Sequence, residues 1–340
     1  QSEDVNDEAA TLRSTPVHSE DNGTPRTVVV AVLVVVQLSF AVSAVLCGAA
    51  MHDPRVEPLV FALLRDSLGA LVLLSASHAW GVFAWPSVQD VGVLCAIGVF
   101  GIYFGQLFLL LAMKHISVLN AAVLAALMPA STMLIGHAVG VEPLVLSSLA
   151  GRCRATGLAA AVCGGIAMVV AQHAAEPPGT RGARDLLVGN AYALAFCVGG
   201  SAFPLLQRHL IDTSRMAPLT VAGWGTAFGA CVLALAVPVA QLPANCWALP
   251  RAAWHALAYV VLITSAFNYA CLAWCNAHSS PVFVAAFNPL QLVFAATLGA
   301  LALGEPFTLG AGAGAGLVCL GLSLLTWARA QEPTSKLLRS

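Results

Sequence analysis

Of the chain's 340 residues, 59% are hydrophobic and 9% are charged, and mean hydropathy is +0.84, whereas a soluble domain carries about 25% charged residues. These values exclude an ordinary soluble protein and point to an all-α membrane protein whose backbone satisfies itself inside the bilayer. The formal net charge of −1, with basic residues scattered through loops and tails, speaks against a nucleic-acid partner.

Residues 1–26 form an acidic, aromatic-poor tail that is predicted to be disordered. Ten apolar segments follow, to be compared with the roughly 20 residues that cross a bilayer. They run from Thr27 to Ala50, Pro58 to Ala76, Val91 to Met113, Ser117 to Val139, Ala155 to Ala171, Leu186 to Leu206, Pro218 to Val239, Trp254 to Cys275, Pro281 to Leu303 and Gly310 to Trp327. The first follows a long polar tail and reads as a retained helix rather than a signal peptide. The polar linker AAEPPGTRGARD, residues 174–185, separates a first half (27–173) from a second (186–328), and 329–340 form a C-terminal tail. Five spans per half place the halves in opposite orientations, so the expected fold is ten transmembrane helices as two inverted five-helix repeats.

The distribution of Lys and Arg predicts both termini on the cytoplasmic side. That side collects Arg13, Arg26, Arg152, Arg154, Arg208, Arg215, Arg329, Lys336 and Arg339, against Arg55, Lys114, Arg181, Arg184 and Arg251 on the other. Eight of the ten cysteines fall in apolar segments, where a thiol packs as a small apolar group; Cys153 and Cys246 fall in predicted loops. No disulfide framework, metal site or cofactor follows from their spacing, since Cys271 and Cys275 at i,i+4 lack further ligands.

Pro129 and Pro289 lie near the middle of the fourth and ninth spans, each followed by a lone glutamate, Glu142 or Glu305. A proline removes a backbone donor and bends a membrane helix, and matched interruptions in two halves point to a transporter's central site. The surrounding stretches, AMKHISVLNAAVLAALMPASTMLIGHAVGVEP and WCNAHSSPVFVAAFNPLQLVFAATLGALALGEP, read as related.

The second of these, extended through PFTLG to Gly310, resembles the plant drug/metabolite transporter superfamily with two EamA domains. The match is to its walls-are-thin-related branch, also called the usually-multiple-acids-move-in-and-out transporters. The WC pair, PVFV, FNPL and LGE carry the resemblance, together with the glycine-rich last span and Gln37, Arg65, Gln106 and Gln207. Where that branch has a lysine at the end of the first span, this chain has Cys47 and Gly48, and Ala126 stands where it often has asparagine. The resemblance implies an alternating-access carrier of small organic solutes, amino acids or auxin-like acids, with two EamA repeats.

Arg65 lies roughly 10 Å inside its span at 1.5 Å per residue, so it needs a partner or a wet cavity; it is either a substrate or gating contact or a clamp on a neighbouring helix. Asp66 is about 100° away around the helix and reads as a poor partner for it, but as a candidate for proton exchange if buried. Asn288, before Pro289, can donate and accept toward a substrate or bind a neighbouring helix. Gln37, Gln106 and Asn268 carry the same two readings, and Tyr269, Trp274 and Phe287 are candidate cavity walls. Glu142 and Glu305 suit helix ends, and His137 is a candidate proton site. No HExxH, GxSxG, paired membrane aspartates or phosphate-cradling loop argues for an enzyme. Two alternatives stay open: a nucleotide-sugar or phosphate-ester carrier, which calls for several cavity cations, and a non-transporting scaffold or sensor. Neither substrate nor oligomeric state is legible.

Overall fold

A computed structural model of the chain describes residues 26–116, 128–140, 147–173, 183–242, 246–303 and 309–330. Glu142, Glu305, residues 1–25 and 331–340 of the predicted tails and residues 174–182 of the linker lie outside them, whereas Arg26, Arg329 and Ala330, assigned to the tails, are helical. All described elements are helical: α1 Arg26–Met51, α2 Pro58–Ala79, α3 Val88–His115, α4 Met128–Ala138, α5 Leu149–His173, α6 Ala183–Thr213, α7 Pro218–Ala236, α8 Arg251–His278, α9 Pro281–Ala285, α10 Asn288–Leu303 and α11 Leu309–Ala330. Helices close their own N–H and C=O groups, which an apolar solvent requires. Of the described helices, α1, α2, α3, α6, α7 and α8 are long and apolar enough to cross a membrane.

Several boundaries differ from those predicted. The fourth span enters the described residues only at Met128. Cys153 lies within α5, and α6 runs past Leu206 to Thr213, so Gln207 and Arg208 are helical. The ninth span is not a bent helix but two helices. Phe287 N–H turns back to Val284 O and Leu290 N–H to Phe287 O, so the chain breaks after α9 and restarts with Pro289 as the second residue of α10. Proline is tolerated there because a helix's first N–H groups have no intrahelical acceptor anyway. The proline inside a described helix is instead Pro204 of α6.

The main contacts come in exchanged pairs. α3 packs on α6 as α8 packs on α1, α4 on α6 as α10 on α1, and α2 on the middle of α8 as α7 on the middle of α3; α2 meets α7, and α5 meets α11. α3 and α8 have equal length, and each turns π-helical nine residues past its first residue, over Ile97–Leu107 and Val260–Asn268. Wide turns of this kind release backbone groups and often mark functional sites. α2 and α7 both start on a proline and share Leu59/Leu219, Ala62/Ala222, Gly69/Gly229 and Leu73/Leu233 in one register.

At one end of the bundle, Thr220 donates to Val82 O at 2.7 Å and Trp224 Nε1 to Ala84 O at 2.9 Å. Phe83, Trp85 and Trp224 cluster there as interfacial aromatics do. At the other end, Lys114 meets Glu57 and His115 meets Asp185.

α5 and α11 touch backbone to backbone. A Cβ on Gly157 would lie 2.7 Å from Gly321 O, and one on Gly321 would lie 2.5 Å from Gly157 O. Small residues permit such approach, and dispersion between the closely packed helices holds the seam. Gly321→Val is expected to destabilise the detergent-solubilised protein by about 1–3 kcal/mol through overpacking. Gly316→Val, on an open face of the same helix, should stay within about 0.5 kcal/mol. Thermal unfolding of the two variants checks this; equal losses would remove the seam as the cause.

Candidate functional site

The centre of the bundle is polar where α1, α2, α3 and α8 converge. Arg65 and Asp66 are 3% and 0% exposed and form a direct ion pair. Arg65 Nε donates to Asp66 Oδ1 at 3.0 Å, and Nη2 donates to Oδ1 at 2.9 Å and lies 3.1 Å from Oδ2. This overturns the expectation that neighbours 100° apart make poor partners. The helix angle fixes where the Cβ atoms point, whereas the long arginine stem carries its charge around to the shorter aspartate. Both directions are interior here, because α2 is flanked by α7 and by the π-helical part of α8.

The remaining guanidinium donors reach both halves of the chain. Nη1 donates to Gln106 Oε1 at 3.0 Å, and Nη2 lies 3.4 Å from the Tyr269 hydroxyl. Gln106 and Tyr269 each lie eighteen residues past the first residue of α3 and α8, so equivalent positions of the exchanged helices meet at one cation. Ser265 Oγ donates to Asp66 Oδ1 at 3.5 Å, and α2 comes close because Gly69 faces Ser265, 2.6 Å from where a Cβ would sit. Desolvating two ions costs several kcal/mol each, and only such multiple bonding offsets it; removing one partner of a buried pair typically costs about 3–5 kcal/mol. In α7 the positions matching Arg65 and Asp66 are Gly225 and Thr226, so the charge is confined to one side.

A second polar group lies beside the first. Gln37 Nε2 donates to Asn288 Oδ1 at 3.3 Å, and Asn288 Nδ2 faces the Met128 thioether at 3.6 Å. The residues preceding Pro289 and Pro129 thus touch each other, and both prolines are buried. Met128 is seated against Gly200, where a Cβ would be 2.5 Å from its methyl group. Ser39 Oγ lies 2.6 Å from Asn268 Oδ1 and 2.9 Å from Val36 O, with one proton for the two acceptors. Along the axes of α1 and α8, the polar positions Gln37, Ser39 and Asn268 thus lie between Asn288 and Tyr269, a strip of position rather than a continuous chain of hydrogen bonds. Within it, Gln37 Oε1 and Asn268 Nδ2 are buried without a hydrogen-bond partner, although a buried polar atom ordinarily has one.

Of the predicted site residues, Arg65, Asp66 and Gln106 come together, Gln37 meets Asn288, Asn268 bonds Ser39, and Pro129 and Pro289 flank the Met128–Asn288 contact. Phe287 does not line the strip; it packs in an apolar cluster with Phe283, Val29, Leu33 and Leu290. Ser39 and Ser265 were not singled out. A signal existed for Ser265, which stands three before Asn268 on the same turn; Ser39, two residues after Gln37 and on another face of α1, had none. Among the described residues, no three His, Cys, Asp or Glu side chains converge as metal ligands.

The two ends of the bundle differ. At one, Asn276 Nδ2 donates to Gln207 Oε1 at 2.7 Å, and Arg208 Nη1 donates to the carbonyls of Asn276 and Ala277 where α8 ends, a favourable place for a cation. At the other, a cleft of about 310 Å³ is lined by Met51, His52, Pro54, Met113 and Lys114.

This twice-repeated helical architecture has known counterparts. A solved crystal structure superposes with a TM-score of 0.68 at 18% identity, covering 91% of this chain and 100% of that one, which shows a shared fold. The protein WALLS ARE THIN 1 of Arabidopsis thaliana is 23% identical over 324 residues, covering 88% of this chain and 82% of its own length. A WAT1-related protein of the same plant is 24% identical over 327 residues, 91% and 88% respectively. The EamA-like transporter family matches residues 27–157 and again 187–327. Two matched halves, which together span most of the chain, make this multi-pass membrane protein a member of the EamA-like transporter family, with walls-are-thin-related proteins as its relatives.

Proposed function

We propose that the chain carries small organic solutes, amino acids or auxin-like acids, across its membrane by alternating access, and is not an enzyme. Ten helices in two inverted five-helix halves, with boundaries near 27–173 and 186–328, would rock around the central strip. The exchanged contact pairs and the matched π-helical stretches support this division. The Lys and Arg distribution supports cytoplasmic termini. Plasma-membrane and organellar locations are equally compatible with it.

One observation carries the reading: in an apolar bundle, Gln37, bonded to Asn288 where the two proline-marked segments touch, keeps an unpartnered polar atom, and so does Asn268, bonded to Ser39 of the same helix as Gln37. Such atoms are expensive unless a solute completes them in part of the cycle. The break before α10 places a discontinuous helix at the same point, as in other carriers. Arg208 at the end of α8, opposite the cleft at Met51 and Lys114, supports a state closed on one side.

The decisive experiment is a competition flux panel over amino acids, indole acids and nucleosides with the purified full chain in vesicles. Asn288→Ala should lower flux about tenfold, the equivalent of about 1.4 kcal/mol, with unchanged elution as folded protein. Undiminished flux would remove Asn288 from the site, and a folded wild type that moves no solute would favour a scaffold. Labelling single cysteines placed in residues 174–185 should find them on the side opposite both termini. Finding all three on one side would end the five-plus-five arrangement.

A further inference from the structure

Arg65 and Asp66 are neutral only as a unit, and among the described residues no other charged side chain bonds them. α1 presents Cys47 and Ser43, α3 presents Gln106, and α8 presents Tyr269 and Ser265. α7 carries no charged residue, and its thiol, Cys231, is exposed. Glu57 and Lys114, at the near end of the bundle, face each other at 3.9 Å. A solute carboxylate arriving at the guanidinium would therefore leave an uncompensated negative charge in a medium of low dielectric, which is strongly disfavoured. The charge is removed if Asp66 becomes neutral, and a carboxyl group can do that by taking up one proton.

We infer that Asp66 is a proton site exchanged against a carboxylate at Arg65. This rests on the carrier reading above and gives its site a solute chemistry. The incoming carboxylate accepts the Nε–H and Nη2–H bonds that Asp66 now holds. Asp66 takes one proton from water on the side from which the solute enters, and its new O–H turns toward Ser265 Oγ. One proton and one carboxylate then occupy the site together, and its net charge is unchanged. On the opposite side the carboxylate leaves, Asp66 returns its proton to water, and the ion pair closes again.

The geometry favours this exchange. Gln106 holds Nη1 at 3.0 Å and keeps the guanidinium in place, whereas the Tyr269 and Ser265 contacts, at 3.4 and 3.5 Å, are the long ones and open first. The unpartnered Oε1 of Gln37 and Nδ2 of Asn268 are an independent mark of a ligand. They offer the rest of the solute an acceptor on α1 and a donor on α8.

The test uses the full chain purified in detergent, with acetate, benzoate and indole-3-acetate as probes and indole-3-acetamide as the neutral match. Proton uptake on ligand addition is followed in weak buffer, and affinity is measured between about pH 6 and about pH 8, above the usual carboxylate range. Carboxylate binding should take up about one proton per site and weaken about tenfold for each unit rise in pH, as one linked proton requires; the amide should do neither. Asp66→Asn, a fixed neutral partner, should bind the carboxylate with no proton uptake and no pH slope. Arg65→Gln should lose carboxylate binding and keep that of the amide. A wild type whose carboxylate affinity is flat with pH, or an Asp66→Asn protein that keeps the slope, would overturn the inference, as would failure of all three carboxylates to bind. Should Asp66→Asn not elute as folded protein, the wild-type proton count decides alone. Binding with the stated slope but no flux in vesicles would count against the carrier reading and leave the proton site standing.

Discussion

An ion pair in an apolar bundle is the constraint on which the rest of the centre depends. Arg65 and Asp66 are both almost fully buried, in surroundings where each ion alone would be prohibitively placed. Their presence dictates what the neighbouring helices must supply. α3 brings an acceptor in Gln106, α8 brings two hydroxyls in Ser265 and Tyr269, and α2 must approach α8 closely enough to use them, which Gly69 allows. Asn268, which ends the wide π-helical stretch immediately before Tyr269, places the next polar side chain of the strip, on α8, against Ser39 of α1.

Irregular backbone occurs where this strip needs it. The π-helical stretches of α3 and α8 and the break between α9 and α10 all lie inside the bundle. Unpaired backbone groups are tolerated at membrane depth only when protein or a wet cavity covers them. The regular, tightly packed α5–α11 seam lies in a different part of the molecule and is held by glycines at backbone distance. Rigid packing and a locally loosened centre are therefore assigned to different helices, as the proposed rearrangement around a fixed site would require.

Much of the fold was legible because hydropathy directly records the solvent, and a span of about 20 apolar residues has few other uses. Individual buried polar residues were legible for the same reason: Arg65, Asp66, Gln37, Gln106, Asn268 and Asn288 are costly in lipid and so stand out as candidates. Their pairing was not. Helix angle alone argued against Arg65 with Asp66, because it ignores the reach of the arginine stem and the burial of both sides of α2. Ser39 and Ser265 escaped attention because a serine costs little in a membrane helix, where it can bond its own backbone. Pro289 was identified as a disruption, but only the backbone distinguishes a bent helix from one that ends and restarts.

The doubled architecture makes the single charge site informative. α2 and α7 share their starting proline and much of their register, yet Arg65 and Asp66 face Gly225 and Thr226 at the matching positions. A symmetric pair of ion pairs would place two cations at one centre, and each would oppose the other's burial. With one pair, equivalent residues from the exchanged helices, Gln106 at 3.0 Å and Tyr269 at 3.4 Å, bind the same guanidinium. Under the proposed alternating access, a cation held by both halves would keep a partner in one half while its contact to the other lengthens. Broken symmetry in the charges, on a backbone whose contacts exchange, thus leaves one buried cation bonded to both halves of the chain.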